Sequence, residues 1–336
     1  MKGLRKYLTP FAPDQSGAVS VLYELGGIIV IIDAGGCAGN VCGFDEPRWH
    51  ETRSAVFSAG LRDMDAIMGR DDLLVKKLVD VADHIEAHFI ALIGTPVPSV
   101  IGTDYHGLKR MIERKVHLPV LALDCNGMAL YDKGLEKAYE ELVNTLVKEE
   151  ERSENRIGII GLTPLDFHKK DLKSAYDDHF PGKEVIAVGL GSFEDIHKLS
   201  SCSKNYVVSI SGLKAARLLE KKYGIPYEVV DPVIKERGHP GKNVLIIHEQ
   251  VKANSLRDKM DARSITVAGW FMMDKEMMKN QDVRLREEND LIKLVNDNNY
   301  DVIYGDPVFK QMIPDYKGEF IPMGHFAVSG SRENYE

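Results

Sequence analysis

The chain has 336 residues, of which 44% are hydrophobic and 28% are charged, and its 43 basic and 51 acidic side chains give a formal net charge of −8. This composition is globular and excludes a disordered, collagenous or small disulfide-bonded chain. Without a lysine- or arginine-rich run, nucleic acid and anionic membranes are not expected partners. No apolar stretch reaches the roughly 18 residues of a membrane span, and no signal-peptide core follows the first residues, so we expect a cytoplasmic protein.

Short apolar runs rich in β-branched residues recur along the chain. They predict strands that are buried on both faces, because they are apolar throughout instead of alternating. The predicted strands are 28–33, 89–94, 118–124, 157–162, 185–188, 206–209, 244–247, 265–268 and 302–304. Amphipathic stretches between them predict helices at 71–87, 134–150, 212–223 and 254–260. Strands that alternate with helices over the whole length predict an α/β fold with parallel sheets covered by helices.

Two changes in composition divide the chain into three parts. The charged segment 148–156 precedes a new buried strand and is typical of a linker. The segment 231–242 contains two prolines and two glycines and precedes another buried strand. We therefore predict three Rossmann-like domains of unequal size, at 1–152, 153–237 and 238–336.

Glycine pairs after several predicted strands make a nucleotide-binding loop the first motif to test. Neither G-x-x-x-x-G-K-[ST] nor G-x-G-x-x-G after a strand is present. Gly189-Leu-Gly191-Ser is the nearest match, and it lacks the third glycine. If the reaction needs ATP, we expect another polypeptide to supply it.

The most informative segment is the glycine-rich stretch 33–49, called here the cysteine loop, which contains Cys37 and Cys42. A loop that leaves a buried parallel strand lies at the carboxyl edge of the sheet, where α/β proteins place their chemistry. Glycines on both sides of two thiols let the backbone approach a bulky group and offer amide hydrogens to its sulfurs, which suits an iron–sulfur cluster. By itself, the pair is equally consistent with two structural thiols.

At these residues the chain resembles the nitrogenase component 1 superfamily, which includes the molybdenum–iron protein, dark-operative protochlorophyllide reductase and nickel-sirohydrochlorin a,c-diamide reductive cyclase. Pro13-Asp-Gln-Ser-Gly-Ala18 and Gly35-Gly-Cys37 resemble the family's opening, C-x-P-x-G-A followed by H-G-x-x-G-C. Five later segments are similar to further family motifs in the same order: Val100-Ile-Gly-Thr-Asp104, Leu118-Pro-Val-Leu-Ala-Leu-Asp-Cys-Asn-Gly127, Leu218-Leu-Glu-Lys-Lys-Tyr-Gly-Ile-Pro226, Asp301-Val-Ile-Tyr-Gly-Asp-Pro307 and Met323-Gly-His-Phe-Ala-Val-Ser-Gly330. The resemblance covers nearly the whole chain.

The departures from the family pattern concern the cluster ligands. In the family, each subunit of a pair gives up to three cysteines to a cluster at the subunit interface, and Cys37 matches one of them. The other two places fall near Asp14 and near Thr95, and Cys42 has no counterpart in the nitrogenase pattern. A four-iron cluster takes four ligands. The resemblance therefore implies a homodimer with one shared [4Fe–4S] cluster, held by Cys37 and Cys42 of each chain.

Three further residues are candidates for contact with this cofactor. Gly36 precedes the matching cysteine, and Cys125 ends a buried strand at the same predicted sheet edge. The alternative for Cys125 is a plain buried cysteine. Asp14 is a candidate oxygen ligand, as an aspartate is in the protochlorophyllide relative, and its alternative is an ordinary turn aspartate.

The residues directly after Cys42 are candidates for catalysis. In the family, the stretch after the matching cysteine helps to line the cavity between cluster and substrate. Arg48 is thus a candidate for binding an anionic substrate, with a structural salt bridge as the alternative. Asp45 and His50, together with Asp14, are candidate proton donors.

The resemblance implies an electron-accepting oxidoreductase component. A separate iron protein that hydrolyses ATP would pass it single electrons, and a small molecule or a tetrapyrrole would be reduced in a cleft among the three domains. The large cofactor of nitrogenase needs a cysteine, whose place falls at Val208 or Ser209, and a histidine near His325, so standard dinitrogen fixation is not expected. A scaffold that holds and transfers a cluster or metallocofactor, and a metal-free binding module, are the alternatives.

Overall fold

A computed structural model describes residues 5–52, 54–62, 69–167 and 172–331. Its strands are β1 Ile28–Ile31, β2 Ala55–Ser58, β3 Ile90–Ile93, β4 Val120–Leu123, β5 Ser153–Ile160, β6 Glu184–Ala187, β7 Cys202–Val207, β8 Tyr227–Val229, β9 Arg237–Ile247, β10 Met260–Gly269, β11 Val283–Arg284, β12 Val302–Gly305 and β13 Glu319–Pro322. They form three sheets with the orders β2-β1-β3-β4, β6-β5-β7-β8 and β11-β10-β9-β12-β13. Every pairing between these strands is parallel. The predicted α/β fold with three Rossmann-like parallel sheets is confirmed.

The helices lie between the strands in chain order. They are α1 Asp14–Leu22, α2 Gly36–Asn40, α3 Asp71–His84, α4 Pro96–Val100, α5 Tyr105–Glu113, α6 Tyr131–Thr145, α7 Ser174–His179, α8 Phe193–His197, α9 Leu213–Tyr223, α10 Gln250–Asp258, α11 Glu288–Asn296 and α12 Phe326–Ser329. A π turn, Val41–Asp45, directly follows α2. Within the described ranges, none of the helices has the length and apolar character needed to span a membrane.

All nine predicted strands are present, and the four strands that the sequence pattern missed are all edge strands. These are β2, β8, β11 and β13. Each is only partly buried, whereas β1 and β3 are buried at every residue. The edge strands β4 and β6, which the pattern did predict, have three buried residues each, so the missed strands are those that lie at an edge and are also poorly buried. The pattern also missed α1, which is buried at every residue and so shows no amphipathic alternation.

The three sheets come from successive parts of the chain, residues 28–123, 153–229 and 237–322. Both predicted boundary segments, 148–156 and 231–242, are in part strand, because β5 begins at Ser153 and β9 begins at Arg237. The first half of β9 is largely exposed, which explains why its sequence looked like a linker. The domain boundaries themselves stay a prediction.

One apolar core joins the three sheets. Its largest cluster includes Ile29 of β1, Ile160 of β5 and Ile247 of β9, each of which is fully buried. Removal of this apolar surface from water is the main favourable contribution to folding. Side chains of all three sheets therefore share one apolar core.

Helices α1 and α6 approach each other unusually closely, because each carries a glycine at the contact. A Cβ atom on Gly17 would lie 1.9 Å from the carbonyl oxygen of Tyr131, and one on Gly134 would lie 1.7 Å from that of Asp14. Only glycine permits such backbone contact. This packing fixes the amino terminus of α1 beside the loop that follows β4.

Candidate functional site

The cysteine loop leaves β1 and turns directly into α2. Gly35, which precedes the helix, has a φ of 114°, a left-handed conformation that favours glycine. The Asp33 carboxylate accepts hydrogen bonds from the backbone amide of Ala38 at 2.8 Å and from the hydroxyl of Ser58 at 2.5 Å. Asp33 thereby anchors the first turn of α2, which carries Cys37, to the ends of two strands.

Two carboxylates, Asp33 and Glu46, act electrostatically on the Cys37 and Cys42 thiols. Both cysteines are free and partly exposed. Burial raises the pKa of each thiol, the negative charge of Glu46 raises the pKa of Cys42 further, and the negative charge of Asp33 raises the pKa of both. A hydrogen bond with the Thr95 side chain acts in the opposite direction on the pKa of Cys37. Both thiols are therefore protonated at neutral pH, and binding of a metal has to displace their protons.

The outer side of the cysteine loop faces open space. A Cβ atom added to Gly35, Gly36, Gly39 or Gly43 would meet no other atom within 4 Å. Two thiols beside unobstructed backbone fit the donor set and the bulk of an iron–sulfur cluster. Among the described residues, no group of three or more His, Cys, Asp and Glu side chains is placed to hold a metal ion.

The first turn of α1 holds two neighbouring loops together. The Asp14 carboxylate is buried and accepts hydrogen bonds from the backbone amides of Asn126, at 2.9 Å, and Gly127, at 2.7 Å. The Ser16 hydroxyl donates to the Asp45 carboxylate at 2.6 Å. Both oxygens of Asp14 thus have partners within the chain, and its predicted role as a cluster ligand stays a prediction.

Thr95 follows β3 and lies at the same carboxyl edge of the first sheet as the cysteine loop. Its hydroxyl donates to the carbonyl oxygen of Ile32 at 2.8 Å. The next residue, Pro96, packs on the loop after β4, because a Cβ atom on Gly127 would lie 2.4 Å from the Pro96 ring. The structure therefore brings Asp14 and Thr95, near which the resemblance predicts the places of two further family cysteines, to the same edge as Cys37.

The Arg48 side chain forms its contacts within the chain. Its guanidinium is buried, pairs with both oxygens of Glu46 and donates to the carbonyl oxygen of Ser20 at 2.6 Å. It also lies 4.9 Å from the ring centroid of Tyr23. This geometry favours the structural salt bridge for Arg48, whereas His50 is exposed in the following turn.

Cys125 lies on the same sheet edge but inside the apolar core. It is fully buried, and burial strongly raises the pKa of its thiol. Cys202, to which the sequence assigned no role, is also fully buried, and burial raises its pKa to about 12. These surroundings favour the plain buried cysteine for Cys125.

Large apolar side chains are exposed at the edge that carries the cysteine loop. The described residues include five such side chains, and all of them follow strands of the first sheet: Phe44, Val97, Val100, Ile101 and Met128. Phe44 lies within the cysteine loop itself, and the most exposed of the five, Val100, is 81% accessible. Exposed large apolar side chains gathered on one edge are typical of an interaction surface.

Residues 15–234, more than half of the chain, match the protein family described as "Nitrogenase component 1 type Oxidoreductase". The chain belongs to this family. The solved structure "Nitrogenase Cp1 at pH 6.5" is similar over 100% of this chain and 89% of its own, with a TM-score of 0.76 and 11% sequence identity. "Nitrogenase Cp1 at pH 5" is similar over 97% of this chain and 85% of its own, with a TM-score of 0.69 and 14% identity. No curated protein matches the sequence. The family predicted from the motifs is confirmed.

This nitrogenase component 1 type chain also contains a buried polar cluster that sequence motifs did not reveal. The Tyr131 hydroxyl forms a short hydrogen bond with Asp166 and lies 2.7 Å from Nε2 of His325. The same His325 nitrogen is 3.2 Å from Asp166, and the ring stacks on His248 at 4.5 Å. Of these residues, His325 lies in a segment that resembles a family motif, Met323–Gly330. Tyr131 and Asp166 belong to no motif and are brought together only by the fold.

Proposed function

We propose that this chain is the catalytic component of a nitrogenase-like oxidoreductase that accepts electrons through an iron–sulfur cluster and reduces a small molecule or a tetrapyrrole. One observation carries the proposal: two partly exposed thiols, Cys37 and Cys42, occupy a glycine-rich loop on the sheet edge where the exposed apolar side chains of the described residues also lie. When bound, such a cluster supplies one-electron transfer.

Cys37 and Cys42 would hold the cluster together with the same two residues of a second chain. One chain offers two thiols in this loop, whereas a four-iron cluster takes four ligands. A second copy of this chain would supply the other two ligands. Exposed apolar side chains beside the thiols support this homodimer, because the interface would cover them: Phe44, Val100 and Met128.

The residues around the thiols would orient the cysteine loop and donate protons to the substrate. Cys37 and Cys42 release their protons on metal binding, since the thiolate is the ligand. Asp45 is the proposed proton donor, because it is partly buried, burial raises its pKa, and the Ser16 hydroxyl fixes one of its oxygens. Asp14 holds the adjacent loop in place through backbone amides.

The proposed electron donor is an ATP-hydrolysing iron protein. Two features support this partner: membership of the nitrogenase component 1 family and the lack of a P-loop motif in this sequence. Standard dinitrogen fixation is not part of the proposal. His325 is 2% exposed and enclosed by Tyr131, His248 and Phe271, so it has no room to bind the large nitrogenase cofactor.

The proposal is tested by cluster reconstitution under strictly anaerobic conditions. We expect about two irons per protomer, which is half of a four-iron cluster, and an electron paramagnetic resonance signal after reduction. Cys37→Ala and Cys42→Ala should each abolish the signal, whereas the matched control Cys202→Ala should retain it. Four irons per protomer that survive Cys42→Ala would show that each chain holds its own cluster.

The shared interface is tested separately. Val100→Asp should give monomers in analytical ultracentrifugation and lose iron although both thiols remain, while Val100→Thr should behave as the wild type. An iron-loaded monomer would contradict the shared cluster. Transfer of the intact cluster to an acceptor protein, without any substrate reduction in the presence of the iron protein, would favour the scaffold function instead.

A further inference from the structure

The segment that precedes α1, residues 5–12, forms a strap across the surface of the protein. It contains neither a helix nor a strand. Leu8, Phe11 and Ala12 are buried, whereas residues 5–6 and 9–10 are exposed. The strap is therefore a single layer of chain that has solvent on its outer side and apolar contacts on its inner side.

One carboxylate holds the strap. The Glu288 side chain, at the start of α11, accepts hydrogen bonds from three consecutive backbone amides, those of Lys6, Tyr7 and Leu8, each at 2.8 Å. Within the described part of the chain, no hydrogen bond between two backbone groups involves residues 5–11. Because the three bonds depend on a single side chain, the strap can detach without disturbing any strand or helix.

The strap has a fixed end where it meets α1. An isolated antiparallel bridge joins Pro13 to Leu130. Beside it, the backbone amide of Tyr131 donates to the carbonyl oxygen of Ala12 at 2.9 Å. The rest of the strap can therefore pivot on Pro13 while α1 stays in place.

Phe11 anchors the inner side of the strap. Its ring centroid lies 5.6 Å from that of Trp270, edge-on, and 5.3 Å from that of Phe271. Phe271 in turn lies 4.8 Å from the Tyr131 ring and 5.0 Å from the His325 ring. Phe11 and Phe271 thus lie in a row between the strap and the buried polar cluster.

This polar cluster, called here the junction cluster, draws on loops of all three sheets. Tyr131 follows β4, Asp166 follows β5, His248 follows β9 and His325 follows β13. In the second and third sheets, β5 and β9 each have the next strand of the chain on one side and a later strand on the other. Ligands of open α/β sheets bind at the carboxyl ends of strands in such positions. The junction cluster therefore lies where two of the sheets would bind a ligand.

The cluster offers three kinds of polar group at short range. The Tyr131 hydroxyl and the Asp166 carboxylate lie 2.7 Å and 3.2 Å from Nε2 of His325. Burial, and then the negative charge of Asp166, raise the pKa of Tyr131, so its hydroxyl keeps its proton. All three side chains are buried under the strap and Phe271. Buried titratable groups at such a position are typical of a functional site.

We propose that the strap is a lid over the junction cluster. When the bonds to Glu288 break, the strap pivots on Pro13 and withdraws Phe11 from the rings beneath it. Phe271 then lacks its outer neighbour and can change its rotamer, so a small polar molecule reaches the hydroxyl, carboxylate and imidazole of the cluster. The inference rests on the proposed function only in taking this molecule to be the substrate.

The test labels the histidines of the metal-free protein with diethyl pyrocarbonate, and peptide mass spectrometry measures the rate at each site. In the wild type, His325 should react far more slowly than the exposed His106. Glu288→Ala, which removes the acceptor of all three strap amides, should raise the His325 rate about tenfold or more. Lys293→Ala alters an exposed residue of the same helix and should leave that rate unchanged.

A second readout follows the strap itself. The chain has two tryptophans, Trp49 and Trp270, so Trp49→Phe leaves Trp270 as the only indole fluorophore. Quenching of Trp270 by acrylamide should increase several-fold when Glu288→Ala or Phe11→Ala is added to this background, because Phe11 no longer covers the indole. Phe11→Ala should also raise the His325 labelling rate, although it keeps the Glu288 carboxylate.

Alkylation of Cys202, which is fully buried in the second sheet, reports global unfolding and should stay absent in both strap variants. His325 labelling that rises only together with Cys202 alkylation would show unfolding and would overturn the lid. An unchanged His325 rate in both variants, whatever the quenching of Trp270, would overturn it as well. The measurements do not involve Cys37 or Cys42, so a failed iron–sulfur reconstitution and a failed lid are separate results.

Discussion

The Arg48 guanidinium donates to both carboxylate oxygens of Glu46, from Nε to Oε1 at 2.7 Å and from Nη2 to Oε2 at 2.9 Å. The Arg48 and Glu46 side chains are only 11% and 1% exposed. Nη2 also donates to the Ser20 carbonyl oxygen, which ties the end of the cysteine loop to α1. Loss of one partner would leave a buried charge without compensation.

We predict that Arg48→Met lowers the free energy of unfolding by about 3–5 kcal/mol, measured by urea denaturation. The double variant Glu46→Gln, Arg48→Met should recover much of this loss, because the carboxylate that still loses Arg48 as a partner, that of Glu24 at 3.5 Å, is 28% exposed and reaches solvent. Arg110→Met is the control, since its pair with Asp104 is exposed and 3.7 Å long, and such a pair contributes about 0–1 kcal/mol. An equal, small effect of both arginine substitutions would contradict a structural role for Arg48.

Gly17→Ala should destabilise the protein strongly. The added Cβ atom would lie 1.9 Å from the Tyr131 carbonyl oxygen, so α1 and α6 would have to separate. We expect a loss of about 3 kcal/mol or more in the free energy of unfolding. Gly238→Ala is the matched control, because no atom lies within 4 Å of its added Cβ and its φ is not positive. Thermal unfolding of the two variants tests this contact, and similar melting temperatures would disprove it.

The sequence predicted every central strand because burial on both faces demands a continuous apolar run, as in β1 and β3. The four strands that escaped prediction are edge strands without a buried residue, whereas the edge strands β4 and β6, with three buried residues each, were predicted. The strand β13, Glu319–Pro322, has two exposed residues and pairs with one neighbour only. Its short sequence, Glu-Phe-Ile-Pro, has only two large apolar residues between a glutamate and a proline and is compatible with a loop, and only the register against β12 makes it a strand.

The candidate site was predictable where local sequence determines it. The cysteine loop follows β1 directly, so glycine content and strand position were enough to indicate it. The hydrogen bonds that the Asp14 carboxylate accepts were not predictable, since its partners Asn126 and Gly127 lie 112 and 113 residues away in the sequence. The contact between Tyr131 and His325 spans 194 residues and depends on how the three sheets pack.

The four cysteines should divide into two reactive and two unreactive thiols. We predict that iodoacetamide labels Cys37 and Cys42 in the folded, metal-free protein, and that labelling accelerates as the pH rises, because burial raises the pKa of both thiols. Cys125 and Cys202 should react only after denaturation, since both are fully buried.

Peptide mass spectrometry measures the labelling rate of each cysteine. Labelling of Cys125 as fast as Cys37 in the native protein would contradict its burial in the core. Reconstitution with iron and sulfide should protect Cys37 and Cys42 and leave the other two unchanged. Protection of neither thiol would instead count against the proposed cluster ligands.

Glu249 should make the protein less stable as the pH rises. Burial raises the pKa of its carboxyl group to about 8, and the negative charge of Asp166 adds to this effect. In the unfolded chain, a glutamate titrates near its ordinary value of about 4.3. Between these two values the folded protein binds more protons than the unfolded chain, so the free energy of unfolding falls as the pH increases.

We therefore predict that Glu249→Gln flattens the decrease in stability between about pH 5 and about pH 8, measured by urea denaturation at each pH. Glu288→Gln is the control with the opposite sign. Burial acts to raise the pKa of Glu288, but hydrogen bonds from the amides of Leu8, Lys6 and Tyr7 lower it overall. That substitution should leave the pH 5 to pH 8 slope unchanged. If Glu249→Gln and the wild type show the same slope, Glu249 is already ionised in the folded protein, and the buried carboxyl is not the source of the pH dependence.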